Sequence, residues 1–231
     1  MEMVWEGLVK AVQMLLSGDP EVLRITWFTL RVSGTATIIS LLIGVPLGLF
    51  LAFKVFPGRN VAVSLVNMGM GLPPVVVGLW VSLLLWRSGP LGFLDLIYTP
   101  SAIIIAQAVI ASPIVTGFSM AAIGQLNPKI RLQILALGAS RWQLYWLLIK
   151  EARLGLLAAV IAGFGGVVSE VGAAMMVGGN ILGQTRTLTT ATVMEVNKGN
   201  FDIGIALSVI LLLLAYVVTF TLTLLQQKGR Y

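Results

Sequence analysis

The sequence predicts an all-α membrane protein with about five transmembrane helices, formed by a single domain of residues 1–231. Of the 231 residues, 58% are hydrophobic and only 10% are charged, whereas soluble domains have roughly 45–50% apolar and 25% charged residues. A helix that spans a bilayer needs about 20 mostly apolar residues. Five stretches meet that requirement, at roughly 27–56, 61–86, 102–123, 154–177 and 203–225.

Residues 1–18, ahead of the first span, predict a short amphipathic helix that lies in the membrane interface. Its apolar residues follow helical spacing and are Trp5, Leu8, Val12, Leu15 and Leu16. Glu2 and Glu6 stand where a secretory signal would have basic residues. A disordered or loosely packed N-terminus is the alternative.

The connections between the spans carry turn and helix-start residues. The first span is long enough to tilt or to begin above the membrane, and it ends at a tight turn, PGRN at 57–60. A loop opens with SGP at 88–90 and ends at Thr99 and Pro100. Asn127 and Pro128 predict a helix start, with Asn as the N-cap and Pro at the first position.

The segment 127–155, NPKIRLQILALGASRWQLYWLLIKEARLG, is too polar to span a membrane and too hydrophobic for a solvated loop. It predicts two short helices that join at Gly138, with Ser140 as the cap of the second. An apolar stripe at helical spacing is formed by Trp142, Tyr145, Trp146 and Ile149. Exposed apolar residues of this kind bind a partner protein or lie on lipid, and the residues alone favour neither.

The distribution of Lys and Arg predicts the orientation, because basic residues collect on cytoplasmic loops. Nine of the fifteen basic residues, with Glu151 as the one acid, fall on the 57–60 turn, the 124–153 stretch and the C-terminal tail: Lys54, Arg59, Lys129, Arg131, Arg141, Lys150, Arg153, Lys228 and Arg230. These segments are therefore predicted to be cytoplasmic. The N-terminus is then outside and the C-terminus inside, which five spans allow. The net charge of +6 is explained by this bias without nucleic acid as a partner.

Three sequence motifs resemble those of ABC importer permeases of the molybdate and methionine class. ALGASRWQLYW at 136–146, followed by EARLGL at 151–156, is similar to their coupling loop. GVPLG at 44–48 resembles their GxPLG motif, and GLPPVVVG at 71–78 resembles their LPPVVxG motif. Gly138 matches the glycine of the coupling loop. Two parts of the family's coupling-loop motif are not kept in this sequence. The EAA positions are occupied by LQI at 132–134, and the Leu-Pro positions are occupied by Lys150 and Glu151.

The resemblance implies a methionine-importer-like (type I ABC importer) permease fold in the cell membrane. It implies that a separate ABC ATPase contacts the coupling loop at Gly138, Ala139, Ser140, Arg141 and Trp142. It also implies a homodimer, two ATPase subunits and an extracytoplasmic substrate-binding protein. The chain itself is then no enzyme and holds no cofactor, since ATP and Mg belong to the ATPase, whose closure drives alternating access.

Two segments predict the substrate path, one that ends the fourth span and one that follows it. SEVGAAMMVGGNI at 169–181 and TRTLTTA at 185–191 are similar to molybdate and tungstate permeases, and more so to the tungstate branch. A path for a tetrahedral dianion needs hydroxyl groups, backbone N–H groups and a positive charge. The candidates for path or gate are Glu170, Gly172, Gly178, Gly179, Asn180, Thr185, Arg186, Thr187 and Thr189. In the alternative, the glycines and threonines only pack helices.

Glu170 stands out because an ionisable side chain inside a span indicates function by default. One hypothesis is a closed-gate ion pair with Arg31 or Arg186. The other is a protonated or hydrogen-bonded structural glutamate. Both are structural or gating roles, which we favour over direct contact with an anion.

Several other classes of protein fit the sequence less well. A secondary transporter often has internal repeats and midplane carboxylates, and a membrane scaffold would leave the Gly- and Thr-rich segments unexplained. With no Cys and no His, thiol and imidazole catalysis and the usual zinc sites are excluded. A hydrolytic enzyme fits least well, since the GxxxxGK[ST] pattern of nucleotide-binding P-loops does not occur. The predicted substrate is tungstate, with molybdate or another oxyanion as the alternative.

Overall fold

The computed structural model of the chain describes residues 2–228, with side chains over residues 4–227. The regular secondary structure in that part is helical throughout, which confirms the all-α prediction. The helices are α1 (Glu2–Ser17), α2 (Pro20–Phe53), α3 (Arg59–Met70), α4 (Pro74–Leu85), α5 (Pro100–Gly124), α6 (Pro128–Ala136), α7 (Arg141–Glu151), α8 (Arg153–Val168), α9 (Gly172–Gly178), α10 (Leu188–Asn197) and α11 (Phe201–Lys228), with a 3-10 turn at Gly92–Leu94. Arg230 and the side chain of Lys228, used above for orientation, and the side chain of Glu2, used in the signal-peptide argument, lie outside the described residues.

Five spans are obtained when two bent helix pairs each count as one. Helices α2, α5 and α11 are long and apolar enough to cross a membrane. The α3–α4 pair is bent by 102° and the α8–α9 pair by 60°. The prediction of about five spans is confirmed, but the predicted spans 61–86 and 154–177 are broken helices. In the first pair the break falls at GLP, 71–73, where Pro73 and Pro74 have no N–H to continue the helical ladder.

Helix α2 begins earlier than the predicted position 27, because Asp19 caps it. The Asp19 carboxylate accepts hydrogen bonds from the backbone N–H groups of Glu21 and Val22 at 2.9 and 3.1 Å. The helix has 34 residues, or about 50 Å at 1.5 Å per residue, which exceeds a hydrocarbon core of about 30 Å. The excess length agrees with a span that tilts or begins above the membrane.

The glycines of the GVPLG motif allow α2 and α5 to pack closely. A Cβ atom on Gly44 would lie 2.7 Å from Val115 Cγ1, and one on Gly48 would lie 2.7 Å from Ser119 Cβ. Such distances are shorter than any relaxed carbon–carbon contact, so a larger residue at either position would force the two helices apart. Small residues at helix–helix contacts have this role in membrane proteins.

Two clusters of buried residues mark the two ends of the helix bundle. One contains Val22 of α2 with Leu188 of α10 and Leu207 of α11. The other contains Leu49 of α2 with Ile123 of α5 and Leu156 of α8. Because Val22 and Leu49 lie near opposite ends of α2, the path segment 185–191 lies at the opposite end of the bundle from the α6–α7 hairpin. Helix α9 packs in a third cluster with Val32 and Ile103.

Helix α1 confirms the predicted N-terminal helix, and it packs on α11 through its small residues. Ala11 is buried, and a Cβ atom on Gly7 would lie 2.5 Å from Ile205 Cγ2. Lys10 forms an ion pair with Asp202 of α11. The predicted apolar side, with Trp5, Val12 and Leu16 exposed, faces away from the protein. Its position in the membrane interface stays a prediction.

Candidate functional site

The predicted hairpin of residues 127–155 is formed by α6 and α7, which join at Gly138. Gly138 has φ +80°, in the left-handed region that favours glycine. Its N–H donates to the Leu135 carbonyl oxygen at 3.0 Å, and the N–H of Ala139 donates to the Ile134 carbonyl oxygen at 3.3 Å. This pair of bonds is a Schellman motif. The glycine at this joint is therefore required by the geometry of the turn.

Both helices of the hairpin begin at the predicted caps. The Asn127 side chain accepts from the N–H of Lys129 at 2.9 Å. Ser140 and Gln143 form a capping box, in which each side chain accepts a bond from the other residue's backbone N–H. Local hydrogen bonds thus fix the first turns of both helices.

The tip of the hairpin is open to a partner. No residue of α6 is buried, and Leu137 next to the joint is 87% exposed. Of the five predicted ATPase contacts, Gly138, Ser140, Arg141 and Trp142 are exposed, and Ala139 is half-buried. Their role as ATPase contacts stays a prediction.

The predicted apolar stripe of α7 is only partly the face that packs on the protein. The buried residues of α7 are Leu144 and Leu148, which sequence reasoning missed. Tyr145 and Ile149 pack beside them against the Leu49 cluster, while Trp142 is 79% and Trp146 63% exposed. The packing face is centred on the two leucines, so the tryptophans stay on the outer side of the helix.

Glu170 lies in the break between α8 and α9 and caps α9. Its carboxylate oxygens accept hydrogen bonds from the N–H groups of Ala173 at 2.7 Å and Ala174 at 3.0 Å. Among the described side chains, neither Arg31 nor Arg186 forms an ion pair with it. The geometry is that of the hydrogen-bonded structural glutamate. It also occupies the two N–H groups that an anion would otherwise meet at the start of α9.

Helix α10, which the sequence did not predict, joins this break to α2. Its first turn is a capping box of Thr187 and Thr190. The Thr189 hydroxyl donates to the carbonyl oxygen of Glu170 at 3.0 Å. The N–H of Leu188 donates to the hydroxyl of Thr29 at 2.9 Å. Thr29 was not a sequence candidate, and no local pattern relates it to a residue so distant in the chain.

The turn between α9 and α10 is held by Thr185. Its hydroxyl donates to the Gly178 carbonyl oxygen at 2.5 Å and accepts from the N–H of Ile181 at 2.9 Å. Gly179 and Asn180 both have positive φ, at 68° and 52°. The Tyr98 ring packs where a Cβ atom on Gly179 would lie, 2.8 Å from Tyr98 Cδ1. The Asn180 Oδ1 atom is buried and has no hydrogen-bond partner in the described part of the chain.

Arg186 lies apart from Glu170, beside a cavity of about 190 Å³ near the start of α2. Its Nη1 atom is 3.5 Å from Glu21 Oε1, and its buried Nε atom has no partner among the described residues. Asp19, Glu21 and Glu195 also line the cavity, so its wall is acidic. An anion would reach this arginine only if it displaced the arginine from Glu21.

Glu195 at the end of α10 is a well-paired carboxylate outside the spans. The Asn200 side-chain amide donates to it at 2.7 Å and the Lys198 ammonium at 2.8 Å. These hydrogen bonds, with that from Asn200 the larger cause, lower the pKa of Glu195 from its ordinary value of 4.5.

The predicted path residues therefore divide into two groups. The hydroxyl groups of Thr185, Thr187 and Thr189 are buried and bonded within the chain, which agrees with the helix-packing alternative for this conformation. The glycines support close packing: a Cβ atom on Gly172 would lie 2.4 Å from Val75 Cγ2, and one on Gly178 would lie 2.8 Å from Ile103 Cδ1. Asn180 Oδ1 and Arg186 Nε are buried polar atoms without partners in the described part. Because Oδ1 can only accept a hydrogen bond, the Nε–H group of Arg186 is the candidate donor to an anion.

Comparison with known proteins places this architecture among transport proteins. Residues 44–231 match the family described as "Binding-protein-dependent transport system inner membrane component". The chain is 42% identical over 195 residues to a probable anion ABC transporter permease protein of Haloferax volcanii, which covers 82% of this chain and 84% of that one. It is 37% identical over 228 residues to the tungstate uptake system permease protein TupB of Peptoclostridium acidaminophilum, covering 99% and 100% of the two chains.

A solved structure supports the fold alone, because its sequence identity is low. An inward-facing structure of the MetNI methionine ABC transporter superposes with a TM-score of 0.72 at 20% identity, covering 90% of this chain and 95% of that one. The predicted methionine-importer-like permease fold is confirmed by this superposition.

Proposed function

This chain belongs to the family of binding-protein-dependent transport system inner membrane components, and we propose that it passes tungstate into the cell by alternating access driven by a separate ATPase. It is a permease component of an ABC transporter, which is not itself catalytic. The observation that carries the choice of tungstate is the 37% identity that extends over the whole length of a tungstate uptake permease.

The coupling to an ATPase rests on the α6–α7 hairpin. Its tip is exposed, and a Schellman motif and a capping box fix its shape. A surface that is rigid, apolar and exposed is suited to a partner that pushes and pulls on it. Since α7 packs on the ends of α2, α5 and α8, movement of the hairpin is transmitted to three spans.

The hairpin end is the cytoplasmic end in this proposal. The basic residues of the hairpin and of the α2–α3 turn lie at that end of the bundle, and basic residues collect on the cytoplasmic side of membranes. The N-terminus is then outside and the C-terminus inside. The path segments around α9 and α10 lie near the outer face, where a substrate-binding protein would deliver the anion.

The gate of the proposed path is the joint at which the α9–α10 turn and the first turn of α10 meet the break between α8 and α9. In the conformation described here, Glu170, Thr185 and Thr189 close that joint with hydrogen bonds within the chain. The unpartnered Nε–H group of Arg186 becomes a donor to the anion when the joint opens between two permease copies. A homodimer is proposed because five spans are too few to surround a path alone.

Reconstitution tests this function directly. The permease is co-expressed with its ATPase, purified and placed in proteoliposomes with the binding protein, and tungstate uptake is measured with ATP inside or outside. We expect the ATPase to co-purify and uptake to require ATP on the hairpin side. Molybdate as the preferred anion would shift the substrate to the alternative oxyanion. Uptake without any ATPase would favour a secondary transporter, and the absence of both uptake and ATPase would favour a scaffold.

A further inference from the structure

Two cavities adjoin at the hairpin end of the bundle, between the end of α2 and helix α7. The first is an apolar groove of about 330 Å³, lined by Pro46, Phe50, Phe53, Trp142, Trp146 and Ile149 among others. The second, of about 290 Å³, is lined by three basic residues, Lys54, Arg131 and Arg141, together with Leu135, Leu144 and Leu148. Phe53, Lys54 and Tyr145 line both cavities, so that the apolar groove leads into the basic one.

The basic cavity has positive charge that the described protein does not balance. None of its three basic residues has a carboxylate within 4.0 Å among the described side chains. The Arg131 guanidinium is held 5.6 Å from the centre of the Phe53 ring, a cation–π distance that fixes it over the mouth of the groove. Glu151, at the last residue of α7, is not among the residues that line the cavity, and no described ion pair joins it to any of the three basic residues.

The apolar groove opens where lipid chains lie. Its α2 wall, from Pro46 to Phe53, is formed by the last turns of a candidate span. Trp142 is 79% and Trp146 63% exposed, on the outer side of a helix that runs beside the ends of the spans. Exposed tryptophans at the ends of spans are typical of the membrane–water interface.

From this juxtaposition we propose a binding site for one anionic phospholipid. An acyl chain lies in the groove between Phe50 and Trp146, and the headgroup phosphate lies in the basic cavity against Lys54, Arg131 and Arg141. Basic pockets beside transmembrane helices take anionic headgroups for the same electrostatic reason. The bound lipid would connect the end of α2 to α7, the helix that carries the hairpin.

A lipid fits this site better than a soluble protein does. The groove wall belongs to a span, so a soluble partner would have to enter the hydrocarbon layer to reach Pro46. The exposed surface of α6 and the Gly138 joint remains available to the ATPase. This proposal assigns Arg141 and Trp142 to the lipid and no longer to the set of ATPase contacts expected from the resemblance. The lipid site does not depend on which anion the importer carries.

Brominated lipids test the site, because bromine quenches tryptophan fluorescence at contact. The permease is reconstituted with and without its ATPase in vesicles that contain dibrominated phosphatidylglycerol or dibrominated phosphatidylcholine at equal fraction. We expect stronger quenching by the phosphatidylglycerol, and W142F/W146F should remove that selective part. K54Q/R141Q should lower the preference for phosphatidylglycerol roughly tenfold. K54R/R141K, which keeps the charge, should retain it.

Arg87→Gln is the matched control, since Arg87 is an exposed basic residue at the end of α4, away from the hairpin, and should leave the preference unchanged. Equal quenching by the two lipids would overturn the proposal, because the tryptophans would then meet only the general bilayer. Selective quenching that vanishes when the ATPase is bound would also overturn it, because the protein partner would then cover the groove.

Discussion

The hydroxyl of Thr189 donates a hydrogen bond to the backbone carbonyl oxygen of Glu170 at 3.0 Å. This contact joins the first turn of α10 to the break in the fourth span, where the Glu170 carboxylate caps α9. The two residues predicted from sequence as parts of an anion path thus meet as parts of one joint. In the proposed cycle this joint, rather than a single ligand, is the element that opens.

Replacement of Thr189 by Val should weaken this joint without changing which anion is carried. The change removes the hydroxyl and keeps the shape, so it should destabilise the protein by about 1 kcal/mol. Thermal unfolding in detergent and uptake of tungstate and molybdate measure the two effects. Thr192→Val is the control, since the Thr192 hydroxyl bonds only within its own helix, to the Leu188 carbonyl oxygen. A changed preference between the anions at unchanged stability would instead make Thr189 a ligand.

Glu170→Gln should lower stability more than a change at its exposed neighbour. The amide has one acceptor oxygen for two N–H groups, so one buried donor loses its partner at a cost of roughly 1–3 kcal/mol. Thermal unfolding of the purified permease measures this, with Ser169→Ala as the control. If Glu170→Gln left the unfolding temperature unchanged and raised the apparent KM for the anion, Glu170 would contact the substrate.

Substitutions at Gly138 should separate the shape of the turn from contact with a partner. A Cβ atom there meets nothing within 4 Å, but φ is +80°. Asn tolerates that conformation, so Gly138→Asn should transport almost normally. Gly138→Trp should insert in the membrane and lose coupled uptake, because its ring enters the space of the ATPase. Co-purification of the ATPase and ATP-driven uptake measure both variants. Normal uptake by Gly138→Trp would contradict the coupling role.

Arg186→Ala should slow tungstate uptake or change its selectivity, because it removes the cation with an unpartnered Nε atom. Glu21→Gln is the matched variant, since it removes the partner 3.5 Å away and leaves the arginine in place. Glu21 is largely exposed, so the lost pair should cost less than about 1 kcal/mol of stability. If the two variants change the rate and selectivity of uptake equally, transport depends on the Arg186–Glu21 ion pair and not on contact between Arg186 and the anion. Unchanged rate and selectivity in Arg186→Ala would take Arg186 off the path.

The lowered pKa of Glu195 predicts a pH-dependent contribution to stability. A carboxylate whose pKa is lower in the folded state than in the unfolded state stabilises the fold at pH values above its unfolded pKa. This stabilisation disappears as the pH falls through the folded pKa. Wild type should therefore unfold at a higher temperature than Glu195→Gln near neutral pH, and the gap should close below pH 4.5, the ordinary value. In an Asn200→Ala background, the difference in unfolding temperature that Glu195→Gln causes at neutral pH should be smaller, since Asn200 donates the hydrogen bond that lowers the pKa of Glu195 most. A gap that does not depend on pH would contradict this account.

Local signals made the hairpin and the number of spans predictable. Asn127, Gly138 and Ser140 act through backbone groups within five residues of themselves, and the spans follow from apolar length. The bends within two spans were missed although both segments contain a signal. Pro73 and Pro74 were interpreted only as part of a family motif, and Glu170 only as part of a path or gate. Helix α10 was missed because Thr187 and Thr190 cap it in a segment that was interpreted as a path.

The site was less predictable because its contacts join distant segments. Thr29 bonds to Leu188 from the other end of the chain, and no periodicity indicates that pairing. For Glu170, the backbone N–H groups three and four residues onward are the partners, whereas sequence reasoning also allowed Arg31 and Arg186. Sequence reasoning looked for an opposite charge to pair with a carboxylate in a span. The break in the helix instead provides backbone N–H donors three and four residues away.

Uptake of three elements by cells tests the central claim, that this chain is the permease of a tungstate importer and is coupled to an ATPase through its α6–α7 hairpin. The gene is deleted, trace tungstate, molybdate and sulfate are supplied together, and cell-associated tungsten, molybdenum and sulfur are measured at short times. We predict a loss of tungsten alone, restored by the wild-type gene and not by Gly138→Trp. Unchanged levels of all three elements, in a strain without a redundant importer, would contradict the account.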